Sequence, residues 1–212
     1  MSGIYVNGIY VNSIKDKTNT RELASDSGSA WNWGAGIPSG SIVQVQNTQY
    51  TDIADMSSIS ANTDYVICSG SAGSGTEILN VNITPKITGS KMWLQCSWGG
   101  EFDSYDNVRN ATFFLWRDTT KLGAPGSSGV INYGIMPPSI SHGSDDDSTM
   151  ESCFFQYFDT HGISAGTQIT YKGGVRMQVA SALKINSTVN QSATSHDYER
   201  TVSSIVAIEI AP

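Results

Sequence analysis

The chain has 212 residues, with charged side chains at only 15% of its positions and a formal net charge of −7. It has no cluster of Lys and Arg, which argues against binding nucleic acid through its phosphates. No run approaches the roughly 20 apolar residues of a membrane span, and the first residues lack the basic and apolar regions of a signal peptide, so we expect no membrane insertion. Gly, Ser, Thr and Asn separate short apolar runs, a composition typical of many strands joined by turns.

A direct repeat, GIYVN-GIYVN, fills residues 3–12. Each copy places Ile and Val two positions apart, as in a strand. A five-residue strand buries little by itself, so we predict that the repeat pairs with a neighbouring subunit or a docking partner. Residues 14–23 predict a polar hairpin, and the Gly/Ser-rich residues 25–40 predict a linker. The residues predicted to make attachment or intersubunit contacts are Ile4, Tyr5, Val6, Ile9, Tyr10, Val11, Trp31 and Trp33.

The composition changes near residue 40, which divides the chain into an N-terminal attachment segment, 1–40, and a strand-rich domain, 41–212. Alternating apolar and polar residues recur through the second part, and no helical periodicity is present. This predicts an all-β, antiparallel sandwich or barrel. Strands 111–117 and 153–158 are apolar on both faces, so we expect their outer faces to meet another subunit.

The centre of the predicted sheet is the stretch from residue 76 to 98. Leu79, Val81 and Ile83 are spaced by two, and Pro85 should end their strand because it has no N–H to donate. After a turn at residues 89–90, the spacing predicts that the side chains of a second strand face one way at four positions: Met92, Leu94, Cys96 and Trp98. Further on, residues 168–171 predict a strand and residues 172–174 a turn.

No catalytic or ligand motif is present, so we expect neither an enzyme nor a bound cofactor. The three histidines, His142, His161 and His196, lie in polar runs that predict solvated loops. A weak calcium site is conceivable near Asp145, Asp146 and Asp147, although the spacing is not that of a calcium-binding loop and a solvated acidic loop is the simpler interpretation.

Three cysteines, Cys68, Cys96 and Cys153, include no C-x-x-C pair. Cys96 and Cys153 lie in alternating apolar runs, which predicts buried free thiols and folding in a cytosol. Trp98 and Tyr105 beside acidic residues could form a sugar-stacking patch, with a buried Trp98 as the alternative.

Several segments together resemble a domain found in phage virion proteins. They are GSIVQV at 40–45, LNVNITPKITGSKMWLQCSW at 79–98, FFLWRDTTKLG at 113–123 and SIVAIEI at 204–210. That domain is similar to the C1q/TNF type of jelly roll, which forms compact homotrimers. The stretch YVNSIKDKTNTRELASDSGSAWNWG at 10–34 resembles segments that precede such domains in tail-fibre-like proteins.

The resemblance implies a non-enzymatic virion protein, made and folded in the host cytoplasm. Its partners would be two further copies of itself, other proteins of the tail or capsid, and a host-surface glycan. One interpretation is a trimeric tail-fibre or receptor-binding knob whose loops 99–110, 122–129, 137–149 and 184–200 contact the host. The alternatives are a capsid decoration (cement) protein and a carbohydrate-binding or carbohydrate-active module.

Overall fold

The computed structural model describes residues 37–103, 110–123, 133–139, 148–190 and 199–212, together with the backbones of five short strands before residue 37. All regular secondary structure in these residues is β-strand, and all strand pairs but one are antiparallel. The all-β prediction is therefore confirmed, and the arrangement of sheets is consistent with a β-sandwich.

The N-terminal strands pair among themselves. β1 (Ile4–Val6) and β2 (Ile9–Val11) are antiparallel, so the two copies of the repeat pair with each other, whereas the sequence had suggested a neighbouring subunit or a docking partner. The sequence did contain a signal for this, because Asn-Gly between two β-prone runs strongly favours a hairpin.

Three further strands, β3 (Ser13–Lys15), β4 (Glu22–Asp26) and β5 (Trp31–Trp33), form a second small sheet. The antiparallel pairing of β3 with β4 confirms the hairpin expected at 14–23. The linker predicted for 25–40 is wrong at β5, which pairs with β4. The contacts predicted for the side chains of this segment stay predictions, because those side chains lie outside the described residues.

The remaining strands are β6 (Ile42–Tyr50), β7 (Ala54–Ile59), β8 (Asp64–Val66), β9 (Cys68–Ser71), β10 (Thr76–Glu77), β11 (Asn80–Ile83), β12 (Lys91–Gly100), β13 (Ala111–Arg117), β14 (Thr120–Leu122), β15 (Glu151–Asp159), β16 (Ile169–Met177), β17 (Ser181–Ile185) and β18 (Ser203–Ile210). We call the sheet β15-β12-β18-β6 the front sheet and the sheet β11-β16-β13-β14, with β8 also on β16, the back sheet. A third sheet has the order β10-β9-β7-β17.

The inner faces of these sheets share one apolar core. Leu79, Val81 and Ile83 are buried as predicted, and so are the four alternating residues of β12. The centre of the core is aromatic: the ring centroids of Trp98 and Phe113 lie 4.9 Å apart. Large rings that meet across the sandwich bury extensive apolar surface, and offset or edge-to-face contacts between them add to the stability of the core.

The turn predicted at 172–174 is wrong, because β16 continues through both glycines. Glycine is required here for packing: a Cβ on Gly174 would lie 2.5 Å from the ring of Phe114. A Cβ on Gly173 would lie 3.3 Å from the sulfur of Cys96, on the core side. Glycine in a strand often marks such a close approach: Gly174 leaves room for Phe114 of the paired strand β13, and Gly173 leaves room for Cys96 of the front sheet.

The predicted host-contact loop at 184–200 is also wrong in its first part. Residues 184 and 185 belong to β17, and Asn186, Ser187 and Thr188 are fully buried. The side-chain amide of Asn186 donates to the backbone oxygens of Tyr50 at 2.6 Å and Asp52 at 2.9 Å. These bonds tie the end of β17 to the end of β6, so the segment is structural.

Candidate functional site

The outer face of the front sheet carries a continuous apolar row across all four strands. The strand register places Phe158 of β15 opposite Trp93 of β12, Trp93 opposite Ile208 of β18, and Ile208 opposite Val45 of β6. Neighbouring positions in a pleated sheet that share a face form one surface. We call these four residues the front row.

Aromatic side chains stand out from this face. Phe154 and Phe158 keep 58% and 60% of their surface exposed. The ring of Phe158 is stacked on Trp93, with centroids 5.6 Å apart and planes 8° apart. The Trp93 indole N–H donates to Gln156 Oε1 at 3.2 Å, so the tryptophan is held in place from two sides. The result is a preformed aromatic surface rather than a set of mobile side chains.

β18 is apolar on both faces, and a buried carboxylate at Glu209 fixes which of them lies inward. Glu209 is fully buried, and its carboxylate accepts the backbone N–H groups of Lys86 at 2.9 Å and Ile87 at 3.0 Å, and the side-chain amide of Gln44 at 2.6 Å. Because successive residues of a strand face opposite sides, this anchoring places Val206, Ile208 and Ile210 on the outer face. Alternation in the sequence could not reveal which row of SIVAIEI faces the core.

The front face is almost uncharged. Within the four strands of this sheet, which are described completely, Lys91 is the one charged residue on the outer face. The chain carries a net charge of −7, so two copies repel each other at long range. A face without carboxylates lets copies of this acidic chain meet there without bringing negative charges into contact.

A partly buried ionic cluster joins the front and back sheets. Arg117, the last residue of β13, binds both oxygens of Asp159, the last residue of β15, at 2.8 and 3.0 Å. The hydroxyl of Tyr171 donates to the same carboxylate at 2.8 Å, and burial raises the pKa of Tyr171. Because the aspartate is satisfied by three donor contacts, the cluster fixes the relative position of the two strands instead of offering a reactive group.

His161 lies beside this cluster and is buried, so the prediction of a solvated histidine is wrong for this residue. Its Nδ1 accepts the N–H of Ile163 at 2.9 Å, and its buried Nε2 has no partner among the described residues. Burial is the largest influence on its pKa and lowers it. His142 and His196 lie outside the described residues.

The other predicted sites resolve as follows. All three cysteines are buried and free, which confirms the prediction for Cys96 and Cys153, and burial raises the pKa of Cys153 to about 12.

Trp98 is in the core and is not available for sugar stacking. Tyr105 and the three aspartates at 145–147 lie outside the described residues, and no group of metal-binding side chains occurs in the part of the chain that is described.

The fold and the site together define an all-β protein with an open aromatic sheet face. No protein-family model and no curated protein matches the chain. No helix that could cross a membrane occurs among the described residues.

Proposed function

We propose that the chain is a non-enzymatic structural protein of a bacteriophage particle. In this proposal it forms a homotrimeric jelly-roll knob of the C1q/TNF-like kind, residues 1–40 attach it to the tail, and the knob takes part in host attachment. The virion class is supported by the sequence resemblance alone. Self-association is supported by one structural observation, the front row of apolar side chains on an almost uncharged face.

The size of this face supports association through more than one surface. Four strands about 4.8 Å apart and about eight residues long cover roughly 500 Å². A stable interface usually buries roughly 800 Å² on each partner. The front sheet therefore supplies part of a stable contact, and the N-terminal segment is the natural source of the rest.

Three weak host contacts carried on one rigid trimer would bind far more tightly than one, because the second and third contacts form at high effective concentration. The mechanism thus needs no strong individual site. It requires that the three copies stay together at the concentration at which particles meet cells.

A capsid decoration protein is the alternative, and the N-terminal strands favour it. β1 and β2 form a two-stranded sheet, which is marginal when isolated. Both strands of such a hairpin are edges, and an exposed edge can add to a strand of another protein. In this alternative the strands would join the capsid, and the knob would stabilise the shell mechanically.

The test is the mass of the full chain in solution at micromolar concentration, by light scattering. We expect three copies, and a stable monomer would contradict the proposal. The variant Phe158→Asp should dissociate the assembly because it places a charge in the front row. The matched control, Val179→Asp, changes a valine that is 47% exposed and lies outside this sheet, and should leave the trimer intact. Imaging of labelled particles then separates a tail location from a capsid location.

A further inference from the structure

A groove lies on the outer face of the back sheet. Its lining is polar, whereas the outer face of the front sheet is apolar. The volume of the groove is about 480 Å³. Side chains of β11 and β16 line it together with the turn after β13, among them Asn80, Asn82, Thr119 and Thr170. The groove therefore offers amide and hydroxyl groups, and Asn80, Asn82 and Thr170 among them lie on paired strands.

Hydrogen bonds within the groove hold two of these amides in defined orientations. The hydroxyl of Thr170 donates to Asn82 Oδ1 at 2.7 Å, which directs the Asn82 amide N–H groups away from that bond. The Asn80 side chain donates to the backbone oxygen of Glu77 at 3.1 Å, which leaves its own oxygen as an acceptor. A donor and an acceptor are thus fixed before any ligand arrives, which lowers the entropic cost of binding.

A smaller recess of about 240 Å³ shares Glu77 with the groove. Trp116 and Tyr65 line it, and the indole N–H of Trp116 is buried without a partner among the described residues. Gly75 lines it too, and a Cβ there would lie 2.4 Å from the backbone oxygen of Ser69, so glycine keeps the chain close at this point. Burial raises the pKa of the Cys68 thiol in the recess, which leaves it protonated at neutral pH and unsuited to nucleophilic chemistry.

The cations around the two cavities are already paired, and the other carboxylate of the groove, Asp118, accepts the backbone N–H of Thr170 at 3.0 Å. Lys172 binds Glu77 at 2.8 Å, and Asp64 receives both Lys121 at 2.8 Å and Arg176 at 3.1 Å. An anionic ligand would have to break these pairs to gain a cation. An uncharged ligand rich in hydroxyl groups meets no such cost, since hydroxyls both donate and accept hydrogen bonds.

We propose that the groove and recess together form a binding site for a neutral saccharide. One sugar ring packs its C–H face against Trp116 and Tyr65 in the recess, and the following residue of the saccharide lies along the groove. Its hydroxyls bond the fixed amides of Asn80 and Asn82. None of the residues that line the site belongs to the front sheet, so the site does not depend on the trimer or on the virion function proposed above.

The experiment is ligand-observed saturation-transfer NMR on the full chain, followed by titration. The probes are the neutral methyl glycosides of glucose, galactose and mannose and the anionic methyl glucuronide, each at about 10 mM, which is sufficient to detect millimolar binding. We expect transfer to at least one neutral glycoside and weaker transfer to the glucuronide. No transfer to any neutral glycoside, or stronger transfer to the glucuronide, would overturn the proposal.

Variants assign the binding to the groove and recess. Trp116→Phe keeps an aromatic ring but replaces the indole with a smaller one, so it reduces the face on which the sugar packs and should weaken binding by about threefold to tenfold. Trp93→Phe makes the same change on the front face and should leave binding unchanged. Asn82→Ala, at an exposed position, should weaken binding without affecting folding. Equal binding by Asn82→Ala, Trp116→Phe and the parent chain would overturn the site, whatever the mass of the sample in solution.

Discussion

Strands β13 and β15 have the same kind of sequence and opposite surroundings. Both are apolar on both faces, which led us to expect intersubunit contacts on each. On the outer side of β13, Phe114 is fully buried, while on the outer side of β15, Phe158 is 60% exposed. An apolar outer face therefore predicts that the face is buried. The apolar pattern of the sequence does not tell whether residues of the same chain or of another subunit bury it.

The cover over β13 comes from its own hairpin. β14 pairs with β13 so that Lys121 lies opposite Trp116. The Lys121 ammonium stands 4.0 Å above the ring of Phe114 and 3.9 Å from the ring of Tyr133, and Trp116 meets Phe114 edge to face at 5.5 Å. Cation–π and aromatic contacts thus close this surface within one chain. The expectation of an intersubunit contact is consequently wrong for Phe114.

β15, by contrast, is an edge strand of the front sheet, and its described pairing partner within that sheet is β12. Phe158 receives a stacking contact from Trp93 and otherwise faces outward. The comparison assigns the two strands different roles: the outer side of β13 stabilises the monomer, and the outer side of β15 is free to stabilise an assembly.

The largest expected effect is from Phe114→Ala. Removing a buried ring leaves a cavity, and such changes cost about 3–5 kcal/mol. Chemical denaturation should therefore show a large loss in the free energy of unfolding that is independent of protein concentration. A loss below about 1 kcal/mol, as for typical surface positions, would mean that Phe114 is not covered by its own chain.

Gly174→Ala should have the next largest effect. The new methyl group would meet the ring of Phe114, and overpacking of this kind costs about 1–3 kcal/mol. The double variant with Phe114→Leu provides the control, because the smaller side chain relieves the contact. We expect the two changes together to cost less than the sum of their separate costs, and strict additivity would contradict the proposed clash.

Phe158→Ala should have a smaller effect of a different kind. Full burial of a phenylalanine side chain contributes about 1.5–3 kcal/mol, and here only the 60% of Phe158 that is still exposed is left to be buried on association. The thermal midpoint of the parent chain should therefore rise with protein concentration, and Phe158→Ala should reduce that rise. Identical concentration dependence in the two proteins would remove the front row from the interface.

The local signals in the sequence predicted strands well and their partners poorly. Alternation identified the buried sides of β12 and of residues 79–83, because only one side of each was apolar. It missed β7, whose sequence ADMSSI alternates weakly. It placed a turn at Gly173 and Gly174, because glycine occurs both in turns and in strands crowded by a neighbouring side chain. Only the ring of Phe114 on the paired strand distinguishes the two cases.

The candidate sites depended on long-range pairing and could not be predicted in the same way. The front row contains residues from position 45 to position 208 of the sequence. The polar groove brings together β11 and β16, which are some 90 residues apart in the sequence. The outward orientation of Ile208 depends on the contacts of its neighbour Glu209 with Lys86 and Gln44. A single sequence contains no record of such pairings, although the charge of Glu209 in an apolar strand was a clue to a buried partner.

The smallest expected effect is the contribution of His161 to the pH dependence of stability. It tests the ionic cluster that joins β13 to β15. Burial lowers the pKa of His161, whereas Asp159 and Glu209 oppose this effect and Arg117 adds to it. The unfolded chain, with a histidine pKa near 6.5, therefore binds a proton more readily than the folded chain. Stability conferred by neutral His161 is present above about pH 6.5 and declines as the pH falls from there toward the folded pKa.

The variant His161→Asn should abolish this part of the pH dependence. The asparagine oxygen can replace Nδ1 as acceptor for the N–H of Ile163 and does not titrate, so the fold at neutral pH should be kept. Denaturation of both proteins between about pH 7 and pH 5 isolates His161, because the two chains are identical at every other position. We expect the parent chain to lose more stability over this range than the variant. An equal or smaller loss in the parent would show that the protonation of His161 is not opposed by its burial beside the Arg117–Asp159 pair.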